Sequence, residues 1–178
     1  MKVKTLVLCV AMIASALSLS AQSAVASARG TERITKSVRH ELNMIPYVNA
    51  FDYLAFTVDE NTVTLTGDVT NPVIRSEAAN VVKRIEGVEH VNNEIRVLPV
   101  SFMDNGLRFR LFRTIYGYPA LQKYELGVNK PIRIIVDNGH VTLMGVVDSE
   151  TDKNIAGLRA NGVPGIFSVD NQLKVVKS

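Results

Sequence analysis

The sequence is poor in the residue types that most often carry chemistry, with one cysteine and three histidines among 178 residues. Cys9 lies in an apolar stretch at the start of the chain that we expect to be removed. The remaining chain then has no thiol, which excludes disulfide bonds, a thiol nucleophile and a thiolate metal site. His40, His90 and His140 have no second histidine or carboxylate at metal-ligand spacing, so the sequence predicts no metal site.

A catalytic set is also missing. No nucleophile, base and orienting group can be assembled from the titratable residues. The strand-to-helix stretch TGDVTNP, residues 66–72, has one glycine and no lysine, and it does not resemble a phosphate-binding loop. The sequence therefore predicts a protein that is not an enzyme and that needs no cofactor.

The chain has no apolar run long enough for an ordinary membrane span. Two lysines precede an uncharged apolar run over residues 5–19, which is shorter than the ~20 residues of a transmembrane helix. Small residues around Ala26 and Ala28 follow, and this three-part layout is typical of a secretory signal peptide. We expect residues 1–28 to be a signal peptide cleaved near Ala26 or Ala28, with an uncleaved anchor as the alternative. The mature chain is then exported and has no transmembrane span.

The net charge is small once that segment is removed. The full chain has 20 Lys+Arg and 17 Asp+Glu, and the signal contains two lysines and no acid, so the remainder carries 18 against 17, or +1. Residues 29–100 have a net charge of −2 and residues 101–178 a net charge of +3. A balance this close to zero argues against nucleic acid as a partner. It allows a modest basic surface in the second half.

An internal repeat is the strongest pattern in the chain. VDENTVTLTGDV at residues 58–69 recurs as VDNGHVTLMGVV at residues 136–147, an offset of 78. The agreement continues without a gap over ~40 positions, which indicates two copies of one unit, roughly residues 31–98 and 105–176.

The order of elements can be predicted from the first copy. Residues 32–45 place apolar side chains at spacings of four, four and three, which predicts a helix. Residues 54–69 predict two alternating strands around a tight turn, residues 70–88 a second helix, and residues 88–100 a third strand. A strand reached through a helix should lie parallel to the strand before it. The predicted class is α+β: two tandem αββαβ units, each a small three-stranded mixed sheet packed on two helices.

Three pairs of repeated residues are interpreted as a structural motif and not as ligand contacts. A glycine late in a strand marks a bulge or a close backbone approach, a glycine after a helix can close the helix end, and an asparagine entering a strand bonds local backbone. In that order the pairs are Gly67 and Gly145, Gly87 and Gly165, and Asn93 and Asn171.

The strand pattern V-D-x-x-x-V-T-L-x-G-x-V, followed by a helix and by [IV]-x-G-V-x-x-V-x-N-x-[IL]-x-V, resembles the BON domain. In the second copy the latter part reads NGVPGIFSVDNQLKVV. The resemblance implies one BON domain over residues 29–99 and another over residues 100–178. A signal peptide followed by two such copies is similar to periplasmic, osmotically inducible, outer-membrane-associated proteins. It implies a non-enzymatic periplasmic protein that binds anionic phospholipid membranes and supports envelope integrity or osmotic stress tolerance.

The first helix of the second copy departs from this pattern, because it has two apolar rows. At the offset of 78, its core row consists of Phe112, Tyr116 and Ala120, together with Phe109. A second row, about 130° around the helix, consists of Leu107, Leu111, Ile115 and Tyr118. Three arginines lie between and beside the rows: Arg108, Arg110 and Arg113.

A helix that is apolar on two sides must cover its second face. One interpretation is that Leu111 and Ile115 pack against the first copy. The other is that the second row dips into lipid while the three arginines meet anionic head groups. Partners of the whole chain are therefore an anionic phospholipid surface or, alternatively, envelope proteins bound by an interaction or chaperone-like module.

Overall fold

The computed structural model describes residues 28–126 and 130–176. The predicted signal peptide, apart from Ala28, lies outside the described residues. The elements of the first half are helix α1 (28–43), strands β1 (Tyr53–Asp59) and β2 (Thr62–Val69), helix α2 (Pro72–Lys83), and strands β3 (His90–Asn93) and β4 (Arg96–Val97). Those of the second half are helix α3 (Phe102–Tyr116), a 3-10 helix (Pro119–Tyr124), strands β5 (Ile132–Asp137) and β6 (His140–Val147), helix α4 (Glu150–Asn161), and strands β7 (Ser168–Asn171) and β8 (Lys174–Val175).

Each half forms its own mixed sheet. In the first, β1 pairs antiparallel with β2, and β3 and β4 pair parallel with the other side of β2. In the second, β5, β6, β7 and β8 repeat this arrangement. The third strand is interrupted for two residues in both sheets, so it is divided into two short strands. The predicted α+β class, with two tandem three-stranded units, is confirmed.

The hairpin turns and helix starts follow local sequence chemistry. Asn138 and Gly139 have positive φ angles of 51° and 78°, which suits the predicted two-residue hairpin turn. The helices α2, α3 and α4 each begin after a polar side chain that accepts a backbone N–H: Asn71, Ser101 and Ser149.

Glycine is required late in the central strand of each sheet. Gly67 and Gly145 have φ angles of 122° and 109°, and an added Cβ would lie 2.0 Å from the Tyr53 carbonyl oxygen and 1.9 Å from that of Pro131. A side chain at either position is therefore blocked by the backbone of the neighbouring chain segment.

The helices end earlier than the repeated glycines predicted. α2 ends at Lys83 with Arg84 in right-handed conformation, and α4 ends at Asn161. Gly87 and Gly165, with φ angles of 92° and 91°, lie a few residues beyond these ends. The prediction that they close the helices is corrected: they turn the chain from helix to strand.

Each unit has its own apolar core. The first core is formed by the inner face of α1, the central strand β2 and the inner face of α2. The second is formed by the corresponding elements α3, β6 and α4, with β5 and the 3-10 helix. Among the described residues, no helix is both long enough and apolar enough to cross a membrane.

The first helix of the second unit follows a different offset from the rest of the repeat. The buried side chains of α1 are Ile34, Val38 and Leu42, and those of α3 are Leu107, Leu111 and Ile115, which is an offset of 73. The strands that follow keep the offset of 78. The second unit therefore has five additional residues between its first helix and first strand, where the 3-10 helix lies.

Candidate functional site

The second apolar row, for which packing against the first copy and contact with lipid were the two interpretations, lies in the core of the second unit itself, so both interpretations are corrected. Leu107, Leu111 and Ile115 are buried among β5, β6 and α4. Tyr118 is half-buried, with the Arg159 guanidinium 4.9 Å from its ring centre.

The core row predicted for α3 is partly wrong, because Phe109 and Ala120 are exposed. The reason is the five-residue insertion between α3 and β5. An ungapped alignment of the two copies ignores this insertion and therefore assigns the core to the wrong side of the helix. The sequence held a signal for it, because Pro46 and Pro119 also lie 73 residues apart.

The Arg108 side chain is also unable to meet a head group. It is buried, and its guanidinium donates to the Asn105 Oδ1 and the Val136 carbonyl oxygen, both at 2.6 Å. Burial lowers the pKa of this guanidinium, although the carboxylates around it act in the other direction. Arg108 therefore ties α3 to β5.

Asp104 fixes the start of the same helix to the second hairpin. Its buried carboxylate accepts the backbone N–H of Asn138 at 3.0 Å and that of Gly139 at 2.9 Å. These bonds satisfy a buried charge without any ligand. They also orient α3 so that its opposite side faces outward.

The outer face of α3 carries a different set of side chains, which we define as Phe102, Met103, Phe109, Arg110 and Arg113. The first three are 92%, 73% and 60% exposed, and both arginines are exposed. At 100° per residue, positions 102, 109 and 113 lie within about 40° of one another. The only acidic residue of α3 is the buried Asp104, and neither exposed arginine forms an ion pair among the described residues. The face is thus both apolar and positively charged.

Aromatic contacts extend this face to the junction of the two units. The Phe109 ring packs edge-on against Phe51 at 5.6 Å, and Phe51 packs against Phe112 at 6.2 Å. An apolar pocket of about 310 Å³ opens beside them, lined by Val48, Asn49, Ala50, Phe51, Phe109, Phe112 and Lys130.

A charged cluster at the start of α4 was not predicted from the sequence. Tyr124 donates to Asp152 at 2.7 Å and accepts the backbone N–H of Asp148 at 2.8 Å, and the Lys123 ammonium lies 2.9 and 3.0 Å from the two carboxylates. In the first unit, Asp52 takes the corresponding place by accepting the backbone N–H of Thr70 at 2.7 Å. The cluster therefore anchors the 3-10 helix on α4, as Asp52 anchors the loop after α1.

The repeated asparagines bond the backbone in the same way in both units. Asn93 donates to the Arg75 carbonyl oxygen at 2.9 Å, and Asn171 donates to that of Lys153 at 2.7 Å. Each also accepts the N–H two residues later, across the strand interruption. Within residues 28–126 and 130–176, no three His, Cys, Asp or Glu side chains are grouped so as to hold a metal ion.

Comparison with known proteins supports the repeat. The family model of the BON domain matches residues 30–99 and 122–177, so the second match begins after α3. The chain is 28% identical over 122 residues to osmotically-inducible protein Y of Escherichia coli K12, a match that covers 68% of this chain and 61% of that protein. The chain thus spans less than two thirds of the length of this relative.

Two solved structures are also similar. One is of CdsD, a structural protein of the type III secretion system of Chlamydia trachomatis, with 13% identity, a TM-score of 0.28, and coverage of 81% of this chain and 92% of that one. The other is the C-terminal domain of the same protein, with the same identity and TM-score and coverage of 79% and 96%.

Proposed function

The chain belongs to the BON-domain family, and from this premise we propose that it is a non-enzymatic, osmotic-stress-related periplasmic protein that binds anionic phospholipid membranes. The likeness to osmotically-inducible protein Y supports the link to osmotic stress. The predicted signal peptide supports export to the periplasm. Support of envelope integrity is the role that such binding would serve.

The observation that carries the proposal is the outer face of α3. A surface-seated helix that binds a bilayer buries apolar side chains at the head-group boundary and holds basic side chains beside them. Phe102, Met103 and Phe109 are the apolar residues available for this, and Arg110 and Arg113 are the basic ones. The proposed membrane contact is still made by the first helix of the second unit. It uses the side of α3 opposite to the row of Leu107, Leu111 and Ile115 that was considered from the sequence.

The attachment should be weak and reversible. Each basic residue near an anionic surface contributes about 1 kcal/mol, and only two arginines of α3 remain available because Arg108 is buried. Salt screens this attraction at separations beyond the Debye length, which is about 10 Å at 0.1 M and becomes shorter as the ionic strength rises. Binding should therefore depend on both the anionic lipid content and the ionic strength.

We predict that replacing Arg110 and Arg113 together with glutamine lowers the affinity for anionic vesicles about tenfold or more, since two contributions of about 1 kcal/mol are lost. Cosedimentation with vesicles of graded phosphatidylglycerol content in phosphatidylcholine measures this. The matched control is Arg75→Gln with Lys83→Gln, which removes two exposed charges from α2 and should leave binding unchanged.

Equal binding to purely zwitterionic vesicles would contradict the electrostatic part of the proposal. The alternative is an interaction or chaperone-like module that docks another envelope protein. In that case, Phe102→Ser with Met103→Ser should abolish the contact, whereas the double arginine variant should retain it.

A further inference from the structure

A groove lies beside the outer edge of β1, between α1 of the first unit and residues 130, 131, 133, 145 and 174 of the second unit, and we refer to it as the edge groove. Its volume is about 580 Å³. The wall on the α1 side includes Thr35, Arg39 and Leu42. The floor is formed by β1, whose apolar side chains Leu54, Phe56 and Val58 are only partly buried.

β1 is an edge strand. Among the described residues it pairs with β2 alone, and no backbone hydrogen bond outside this ladder involves residues 53–59. In an antiparallel pair, alternate residues direct their N–H and C=O groups away from the partner strand. Such an edge is a template on which another extended segment can form hydrogen bonds.

The second unit shows how the equivalent groove is filled. Ala50, from the first unit, is buried in the core of the second, and its carbonyl oxygen accepts the N–H of Ile134 in β5 at 2.7 Å. The next residue, Phe51, packs against α3 through Phe112. A turn of the first unit, closed by the hydrogen bond from the Asp52 N–H to the Asn49 carbonyl oxygen at 3.1 Å, therefore lies between the first helix and the edge strand of the second unit.

The pairing register of the two sheets identifies which backbone N–H of the first unit corresponds to the Ile134 N–H. Ile134 lies opposite Leu143 in the second sheet, and Phe56 lies opposite Leu65 in the first, both at the offset of 78. The Phe56 N–H therefore points away from β2 into the edge groove. The N–H groups of Leu54 and Val58, two residues before and after it, point to the same edge.

The charges along the edge groove are mostly basic: Arg39, Lys130, Arg133 and Lys174. Asp52, the one acidic residue among the described residues of the lining, is fully buried and accepts hydrogen bonds from Asn49 and Thr70. The Arg133 guanidinium donates to the Asn49 carbonyl oxygen at 2.7 Å, whereas Arg39 and Lys174 are exposed. An acidic occupant is favoured by this arrangement.

We propose that the edge groove of the first unit binds an extended acidic peptide segment of another protein, which adds as a strand to the free edge of β1. Its backbone carbonyl accepts the Phe56 N–H, in the place that Ala50 takes on Ile134. Its apolar side chains contact Leu54, Phe56 and Val58, and its carboxylates face Arg39 and Lys174. Main-chain bonds supply the affinity, and the pocket and charges supply the selectivity.

The test uses the whole chain, labelled with 15N, and an eight-residue peptide of alternating glutamate and valine. We expect saturable shifts of the Leu54, Phe56 and Val58 amide resonances, with Phe56 protected from solvent exchange. Replacing Arg39 and Lys174 with glutamine should weaken binding about tenfold. The control Arg75→Gln with Lys83→Gln should leave the affinity unchanged.

Two peptide variants test strand addition without altering the protein. Methyl groups on all valine amides or on all glutamate amides block opposite edges of the peptide strand. One of the two should lose binding and the other should keep it. Equal binding of both overturns strand addition, and equal binding of a lysine–valine peptide overturns the acidic assignment. Protection of the Phe56 amide that rises with protein concentration and needs no peptide would make a second copy the occupant, and would overturn the proposal.

Discussion

Buried charged residues in this protein hold backbone groups in place. The carboxylates of Asp52 and Asp104 each accept backbone N–H groups from a loop or hairpin, and the Arg108 guanidinium donates to a strand carbonyl. A charge taken out of water is tolerated only with such partners. Polar contacts therefore fasten the loop after α1 in the first unit and helix α3 to the sheet in the second, in addition to apolar packing.

Asp152 is the buried residue whose ionisation should be visible in stability. Burial raises the pKa of its carboxyl, but hydrogen bonds from Tyr124, Lys123 and Ser149 outweigh burial and leave the pKa below its usual value. Because the folded protein binds the proton more weakly than the unfolded chain, this residue stabilises the fold fully above the unfolded pKa of about 3.9. That contribution is lost as the pH falls through the lower, folded pKa.

We predict that Asp152→Asn lowers the free energy of unfolding by about 1–3 kcal/mol at pH 7, because buried hydrogen bonds to a charged group are weakened. The difference from the parent protein should shrink below about pH 4, as the parent carboxyl becomes protonated. Urea unfolding at several pH values measures it. Asp170→Asn, at an exposed position of the same unit, should have a small effect at every pH. A difference for Asp152→Asn that is independent of pH would argue against an ionised carboxylate.

At the scale of elements, α3 combines a core face with a surface face that differs from that of α1. The inner face repeats the pattern of α1 at the offset of 73, with Leu111 in the place of Val38. The outer face exposes Phe102, Met103 and Phe109, which is unusual for a helix whose only function is packing. The separation of these two faces underlies the proposed membrane contact.

We predict that Leu111→Ala destabilises the protein by about 2–5 kcal/mol, because it leaves a cavity in a packed core. Leu158→Ala, at a side chain of α4 that is 77% exposed, should change stability by less than about 0.5 kcal/mol. Urea unfolding of both variants makes the comparison. If Leu111→Ala kept full stability but lost vesicle binding, the lipid-facing row inferred from the sequence would be restored.

At the scale of the whole molecule, the two units are joined by polar and apolar contacts. Ala50 enters the second core, and Arg96 of the first sheet reaches Asp68 at 2.6 Å and Asp137 of the second unit at 2.5 Å. The hydrogen bonds that the guanidinium donates to the Asp68 and Asp137 carboxylates raise the pKa of this arginine. Because a unit of about 70 residues buries only a small core of its own, each unit should gain stability from the other.

We predict that Ala50→Asp selectively destabilises the second unit by several kcal/mol, since it places a carboxylate in an apolar core. Differential scanning calorimetry should show one transition for the parent chain and two for the variant. Ala120→Asp, at an exposed position of the 3-10 helix, is the matched control and should keep one transition. Retention of a single, unshifted transition in Ala50→Asp would show that the segment around Ala50 does not hold the units together.

The repeated strands could be predicted from the sequence because their signals are local. Alternating apolar residues, the Asn138–Gly139 turn and the strand glycines at 67 and 145 each act within a few residues. The parallel direction of the third strand could be predicted because a strand reached through a helix lies parallel to the strand before it. The exposed apolar residues Phe102 and Met103 were missed, because the ungapped comparison of the copies started from the wrong helix register.

The sequence by itself determined the two αββαβ units and the order of their elements, since periodicity and turn chemistry need no distant partner. Only the tertiary structure decided which row of α3 is buried, because that choice depends on five inserted residues and on the strand against which the helix packs. It also decided that Ala50 bonds to the edge of β5, while no strand within residues 28–126 and 130–176 pairs with the outer edge of β1. These are contacts between residues far apart in the chain, and the same local pattern is compatible with either arrangement.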